Sequence, residues 1–399
     1  MNARRMPAIV GLGCATPQCN ATQAAAAEFA IRAGGLTGDA ARFAEVIYMR
    51  AGIDARASVL LKTTASKDVP LEQSFFGERS GSDDRGPTTQ ARMRAYASLA
   101  GPLGIEAAGS ALRDAAPLLG ESPEKRITHL VTVSCTGFAA PGLDVALILA
   151  LGLSPAVQRV NVGFMGCHGG VVGLRVAGDL AAASGAGARV LLVCVELCSI
   201  HMQYSERPDQ IVANALFGDG AGAAVVACDE ELMDGHRVTA SGALPLMIRS
   251  SASMLVPQSL SAMGWEIGDH GFEMTLAESV PDLIRAHLGP WMAQWLGACG
   301  LSLDSARSSA RWAVHPGGPR VLSAVGNALG LDDAALECSR SVLRDHGNMS
   351  SPTVLFILER LERRARQHPQ SQRSDAPVVM LGFGPGLTAE AILLAPWKG

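Results

Sequence analysis

Residues 160–183, VNVGFMGCHGGVVGLRVAGDLAAA, place a cysteine where an apolar, strand-like run meets a helical pattern. A thiol at a helix start lies in the positive end of the helix dipole, near backbone N–H groups that have no intrahelical partner. That setting favours the thiolate, which is the reactive form. Gly169 and Gly170 keep side chains away from it. Cys167 is therefore a candidate nucleophile, set against the plainer reading of an inert thiol at a tight turn. A nucleophile that attacks a carbonyl needs a proton partner and a donor to polarise the carbonyl oxygen. His168 is adjacent, but as a helix neighbour it points elsewhere and reads as structural. His315 ends a strand-like run in WAVHPGGP, and Asn348 precedes the helix-like TVLFILERLERRA in HGNMSSP. An imidazole can pair with a thiolate and then donate a hydrogen bond, and a carboxamide donates without titrating. A loop histidine and a helix-capping asparagine are the alternatives.

Strand-like runs recur at PAIVGLG, HLVTVSC, RVLLVCVEL, GAGAAVVAC, RWAVHP and PVVMLGFGPG, and RVNVGFMG leads into the cysteine. Ala- and Leu-rich stretches with helical spacing, such as 87–118 and 171–184, separate them. Buried apolar runs alternating with helices predict an α/β protein with mainly parallel sheets. The polar segment 229–237 reads as a linker between halves spanning 1–235 and 236–399, and 366–376 reads as a surface loop. Each half carries a strand that leads to a reactive or polar residue.

Of the 399 residues, 48% are apolar but only 5% aromatic, so a large core of Ala, Val, Leu and Gly is expected. The net charge of -4 and the lack of a basic block argue against nucleic acid as the main partner. Nine scattered cysteines include no CxxC pair and no zinc-finger spacing, so no metal site is expected. Such usage suits a reduced, cytoplasmic protein. No run is long and apolar enough to predict a membrane span. The opening MNARRMPAIVGLGCATP reads as a first strand, not as a signal peptide.

Five pieces in order carry a family resemblance: GCHGGVVGLRVAGDLA, ALFGDGAGAAVV, WAVHPGGPRVL, HGNMSSPTVLFIL and GFGPGLTAE. Over roughly residues 7–397 the chain resembles the type III polyketide synthases, the chalcone synthase-like family, in a bacterial form. The resemblance implies a thiolase-like αβαβα layered fold of two related halves and a homodimer. It implies that Cys167, His315 and Asn348 form the catalytic triad and that Phe217 guards the junction of the coenzyme A tunnel and the cavity. The implied chemistry is iterative decarboxylative condensation of malonyl-CoA onto a Cys-bound acyl starter, then cyclisation. The substrates are coenzyme A thioesters, and no cofactor is permanently bound.

The resemblance also places cavity and substrate positions at Cys135, Thr136, Cys198, His201, Trp265, Met274, Ser350 and the glycine loop around Gly384. Cys135 stands where plant relatives carry threonine, and is read as cavity wall before second nucleophile. Ala140 replaces a methionine that crosses the dimer interface in plant enzymes. Trp265 replaces a glycine and Met274 a gatekeeping phenylalanine. These departures favour a fatty acyl or malonyl starter over an aromatic one, with a pyrone, resorcinol or naphthalene as product. Arg50, Arg56, Gly317 and Gly318 are the candidates for coenzyme A, although two basic positions of the plant tunnel are apolar here. Rival readings are a ketoacyl synthase III-like single condensation, with an acyl carrier protein as possible partner, chalcone- or stilbene-type use of an aromatic starter, and a non-enzymatic acyl-CoA-binding protein.

Overall fold

The computed structural model describes residues 6–66, 68–228, 238–243, 245–367 and 376–397. The expected linker at 229–237, with the boundary between halves, lies outside the described residues, as do positions 368–375 of the expected surface loop.

The strands of the first half are β1 (Ala8–Ala15), β2 (Asn20–Thr22), β3 (Ala55–Ala57), β4 (His129–Ser134), β5 (Gln158–Gly163), β6 (Arg189–Leu197) and β7 (Asp219–Ala227). Those of the second are β8 (Leu246–Leu255), β9 (Met263–Gly268), β10 (Gly271–Leu276), β11 (Arg311–Val314), β12 (Val378–Gly384) and β13 (Thr388–Pro396). Nine of them form a sheet ordered β11-β12-β13-β8-β1-β7-β6-β4-β5. The two halves repeat one pairing scheme. β1 runs antiparallel to β7, β7 antiparallel to β6, and β6 parallel to β4. Likewise β8 runs antiparallel to β13, β13 antiparallel to β12, and β12 parallel to β11. The halves meet where Ala8 and Ile9 pair with Met247 and Leu246.

The sheet is thus mixed, not mainly parallel as the apolar runs suggested. Those runs arise because helices cover both faces, which makes every position of β4, β6, β7, β11 and β12 buried whatever the strand direction. Alternate residues feed different cores, as the two-residue period of a strand requires. Val131, Val133, Val190 and Leu192 share a core with helices Gly169–Ser184 and Thr353–Gln367 and with Met380 and Ile392 of the other half. Leu130, Leu191 and Val193 pack instead against helix Thr89–Leu119. Val379, Leu381 and Leu393 pack against helices Val280–Ala298 and Pro319–Leu329. Read across the molecule, the layers are helix, the first half of the sheet, helices, the second half of the sheet, helices. Gly13 shows how tightly they approach: a Cβ there would fall 2.3 Å from the backbone N of Ala111. Among the described residues no helix is long and apolar enough to cross a membrane.

Candidate active site

β5 ends at Gly163, three residues before the apolar run suggested. Phe164 takes φ 59 and Gly166 φ 75, and the chain turns through Cys167 into helix Gly169–Ser184. Phe164 holds this uncommon left-handed conformation because its ring packs between Phe138 and Phe272, with centroids 5.5 Å from each. Gly166 must be glycine, since a Cβ would fall 2.2 Å from Pro385 Cδ. The turn is therefore clamped by the strand end of the opposite half, and Cys167 stays partly exposed at its tip.

Asn348 reaches Cys167 from the second half. Its Nδ2 lies 3.8 Å from Sγ, and its Oδ1 accepts the Ser350 N–H at 2.8 Å. The Oδ1 also lies 3.9 Å from Sγ, so the thiol sits against both ends of the amide. Backbone bonds join the same turn to Phe217: Asn348 N–H donates to Leu216 O, and Gly218 N–H donates to Asn348 O. His315 follows β11, and its N–H donates to Leu381 O in β12. Its ring is buried, with neither nitrogen hydrogen-bonded among the described residues.

The helix-start argument for a lowered thiol pKa does not survive the structure. Burial pushes Cys167 up to about 11, and the charge of Glu196 adds to it, while hydrogen bonds from Ser350 and Asn348 pull the other way. The helix end offers little against this, since the Gly169 N–H, the first of the helix, is taken by Gly166 O at 2.9 Å. Burial, with the nearby His168, holds His315 down to about 3. His168 is the structural neighbour expected: Nε2 bonds Thr388 Oγ1 at 2.5 Å, the ring packs on Gly384, and Cβ on Gly382.

A cavity of about 140 Å³, open to solvent, leads away from Cys167. Of the positions anticipated, Cys135, Thr136, Cys198, His201, Phe217, Trp265, Met274, Ser350 and Arg56 line it. Cys135 is wall: its sulfur accepts the Gly166 N–H at 3.0 Å, and burial raises its thiol pKa. His201 is held on both nitrogens, Nε2 donating to Thr136 O at 2.7 Å and Nδ1 accepting the Phe272 N–H at 3.0 Å. Trp265 lays its indole across the cavity, with Nε1 donating to Cys135 O at 2.8 Å. Met274 is buried, and its carbonyl accepts from Gln210 Nε2 at 2.6 Å.

Other positions fall elsewhere. Gly384 is a residue of β12 behind the nucleophile turn, and its neighbour Pro385 lines the cavity in its place. Arg50 is exposed at the end of helix Gly38–Arg50, away from the cavity wall. Gly317 and Gly318 lead into helix Pro319–Leu329, also off the wall; Gly318 packs on Leu216, beside Phe217. Arg56 turns inward: its Nη1 donates to Asn214 O at 2.8 Å and to Phe217 O at 2.6 Å. It clamps the Phe217 backbone, a task that sequence reading assigned to no residue. Phe272 and Glu196 were also missed. Glu196 had a signal available, being the one carboxylate in RVLLVCVEL.

Residues 81–230 match the family model for the N-terminal domain of chalcone and stilbene synthases, and residues 247–396 match that for the C-terminal domain. The chain belongs to the chalcone and stilbene synthase family. It is 37% identical over 344 residues to type III polyketide synthase 10 of Oryza sativa subsp. japonica, covering 84% of this chain and 81% of that protein. It is 38% identical over 326 residues to 1,3,6,8-tetrahydroxynaphthalene synthase of Streptomyces peucetius subsp. caesius, covering 82% and 78%. The crystal structure of PKS-I from the brown alga Ectocarpus siliculosus superposes with a TM-score of 0.85 at 29% identity, covering 99% of this chain and all of that one. The C-terminal type III polyketide synthase domain of Steely1 from Dictyostelium gives 0.81 at 25% identity, covering 98% of this chain. The layering described above is the thiolase-like fold of these synthases. The protein is a CoA-dependent acyltransferase, a type III polyketide synthase, whose family works on coenzyme A thioesters without a resident cofactor.

Proposed function

We propose that Cys167 carries the growing chain, and that the synthase extends a linear acyl or malonyl starter to a pyrone, resorcinol or naphthalene-type product. The observation that carries this reading is the cavity beside Cys167, whose lining includes Phe29, Leu60, Leu61, Leu71 and Phe76. Such a surface favours hydrocarbon over a hydroxylated ring. A tetrahydroxynaphthalene synthase among the relatives adds support for a malonyl starter.

In the proposed cycle Cys167 loses its proton to His315, attacks the starter thioester, and coenzyme A leaves as its thiol. His315 and Asn348 then donate to the thioester oxygen of malonyl-CoA, which loses CO2 to give an enolate. Donors aimed at such charge are worth about 3 kcal/mol each. The enolate carbon attacks the Cys167-bound acyl group, and the thiolate is released to accept the longer chain. The apolar face of Phe217 favours loss of the malonyl charge as CO2.

The halves, split near 235, act as one site: the nucleophile comes from the first and its two partners from the second. A homodimer forms through β5, an edge strand with exposed Val160 beside exposed Phe138 and Leu149. The enzyme works in the cytoplasm, and Arg50, exposed outside the cavity wall, meets coenzyme A phosphates at the surface. The test incubates purified enzyme with labelled malonyl-CoA, alone and with acyl-CoA starters of graded length and an aromatic one, and identifies products by mass. Products from malonyl-CoA alone or from linear starters support the reading. Turnover of the aromatic starter alone overturns it, and turnover of none of these but of a carrier-bound acyl chain moves the starter from coenzyme A to a carrier protein.

A further inference from the structure

A carboxylate that the condensation does not use lies beneath the nucleophile. Glu196, near the end of β6, has no exposed surface. Its Oε2 accepts from the Thr136 hydroxyl at 2.7 Å, the Cys135 N–H at 2.9 Å and the Ser134 hydroxyl at 3.4 Å. Its Oε1 accepts from the Ser351 hydroxyl at 2.5 Å and, more distantly, from the same Cys135 N–H at 3.1 Å.

These donors come from opposite halves. Residues 134–136 run from the last residue of β4 into the loop after it, and the Cys135 sulfur accepts the N–H of Gly166, the residue before Cys167. Ser351 belongs to the turn that begins at Asn348. It also packs against the start of the nucleophile helix, where a Cβ on Gly170 would fall 2.2 Å from Ser351 O. One buried group therefore ties together the two segments that must hold Sγ and the Asn348 amide in register.

The titratable groups that feel its charge are Cys135 beside β4, Cys194 on its own strand, Cys198 just after it, Tyr96 on helix Thr89–Leu119, and Cys167 itself. All are thiols or a phenol, uncharged near neutral pH. Burial pushes Glu196 up to about 7 against the pull of its four donor groups.

We propose that Glu196 is a positioning residue, which braces the Cys167 turn against the Asn348 turn. Its charge also opposes ionisation of the Cys167 thiol. This rests on Cys167 as the nucleophile, but it can fail separately. The readout is the rate of Cys167 alkylation by iodoacetamide, followed by mass across pH 5.5–9, beside kcat and KM for malonyl-CoA.

In Glu196→Gln the charge is gone at every pH. In the wild type it disappears as pH falls through the Glu196 pKa. Alkylation of the variant should therefore be roughly tenfold faster than wild type above pH 8, for a thiol shift of about one unit, and the ratio should fall towards one below pH 6. Easier access to a loosened site would instead raise the rate equally at all pH. Glu196→Asp keeps the charge, so its alkylation should follow wild type while the shorter reach lowers kcat, with KM little changed. If Glu196→Gln fails to fold, Ser351→Ala tests the brace alone, lowering kcat without altering the alkylation profile. A ratio that does not vary with pH, or unchanged kcat in all the folded variants, overturns the proposal. A pH-dependent ratio in an enzyme that condenses no malonyl-CoA keeps the charge effect and sinks the function.

Discussion

The two sides of Cys167 are built on opposite principles. Behind it, Ser134, Thr136, Ser351 and Glu196 form a buried network whose hydrogen bonds fix backbone as well as side chains. In front, the cavity is bounded by Trp265, Phe272, Met274 and Phe217, held by packing and a few single hydrogen bonds. A satisfied polar network has one low-energy arrangement, because each lost partner leaves a buried group unpaired. An apolar wall tolerates changes of shape at modest cost. The floor is therefore suited to holding reacting atoms, and the wall to varying what is made. Substitutions in the floor should change rate, and substitutions in the wall should change product.

The largest effect is expected at the chemical centre. Cys167→Ala should abolish chain extension, measured as product formed from labelled malonyl-CoA. Asn348→Ala keeps the thiol but removes a donor, and kcat should fall roughly 10²–10³-fold with the product unchanged. A new product from Asn348→Ala would break the division between floor and wall.

Trp265→Gly tests the other side. It removes an indole that spans the cavity and stands edge-on to His201 and Phe272, with centroids 5.7 and 5.9 Å away. Product mass should rise by at least one malonyl-derived unit, and kcat should stay within about tenfold of wild type, well short of the loss expected for a removed donor. An unchanged product spectrum would show that the indole does not limit chain length.

The same division explains what could be read in the sequence. Both faces of the central strands are covered, so their apolar runs were plain, and β6 and helix Thr353–Gln367 fall where the pattern put them. Strand direction was not plain, because burial on two faces looks alike in parallel and antiparallel strands. Cys167 and Asn348 were legible through motifs, and the structure brings them into contact. The thiol pKa was misjudged because a local dipole argument cannot see burial by the opposite half. The left-handed Phe164 carries no sequence signal, since its strain is balanced by rings 26 residues before it and 108 after it in the chain. Glu196 was legible in principle, for a single carboxylate in an apolar strand has to be paired.

His201 stands on the seam, and supplies the smallest and most specific test. Its ring stacks on Phe272 at 4.2 Å in the wall, while Nε2 donates to the carbonyl of Thr136 in the floor. Burial holds its pKa down to about 3, so it stays neutral in the folded protein when the unfolded chain protonates near 6.5. Between those values the unfolded state binds more protons, and stability is lost as pH falls. At pH 5 this amounts to about 2 kcal/mol for the one residue. His315 acts in the same sense, and Glu196, pushed up to about 7, in the opposite one between 7 and 4.5. Comparing one variant with wild type cancels both. His201→Gln should reduce the loss of unfolding free energy between pH 7.5 and pH 5, measured by urea denaturation, by about 2 kcal/mol. An unaltered difference would mean that His201 is charged in the folded enzyme, which its two hydrogen bonds forbid: a protonated ring has no lone pair to accept the Phe272 N–H.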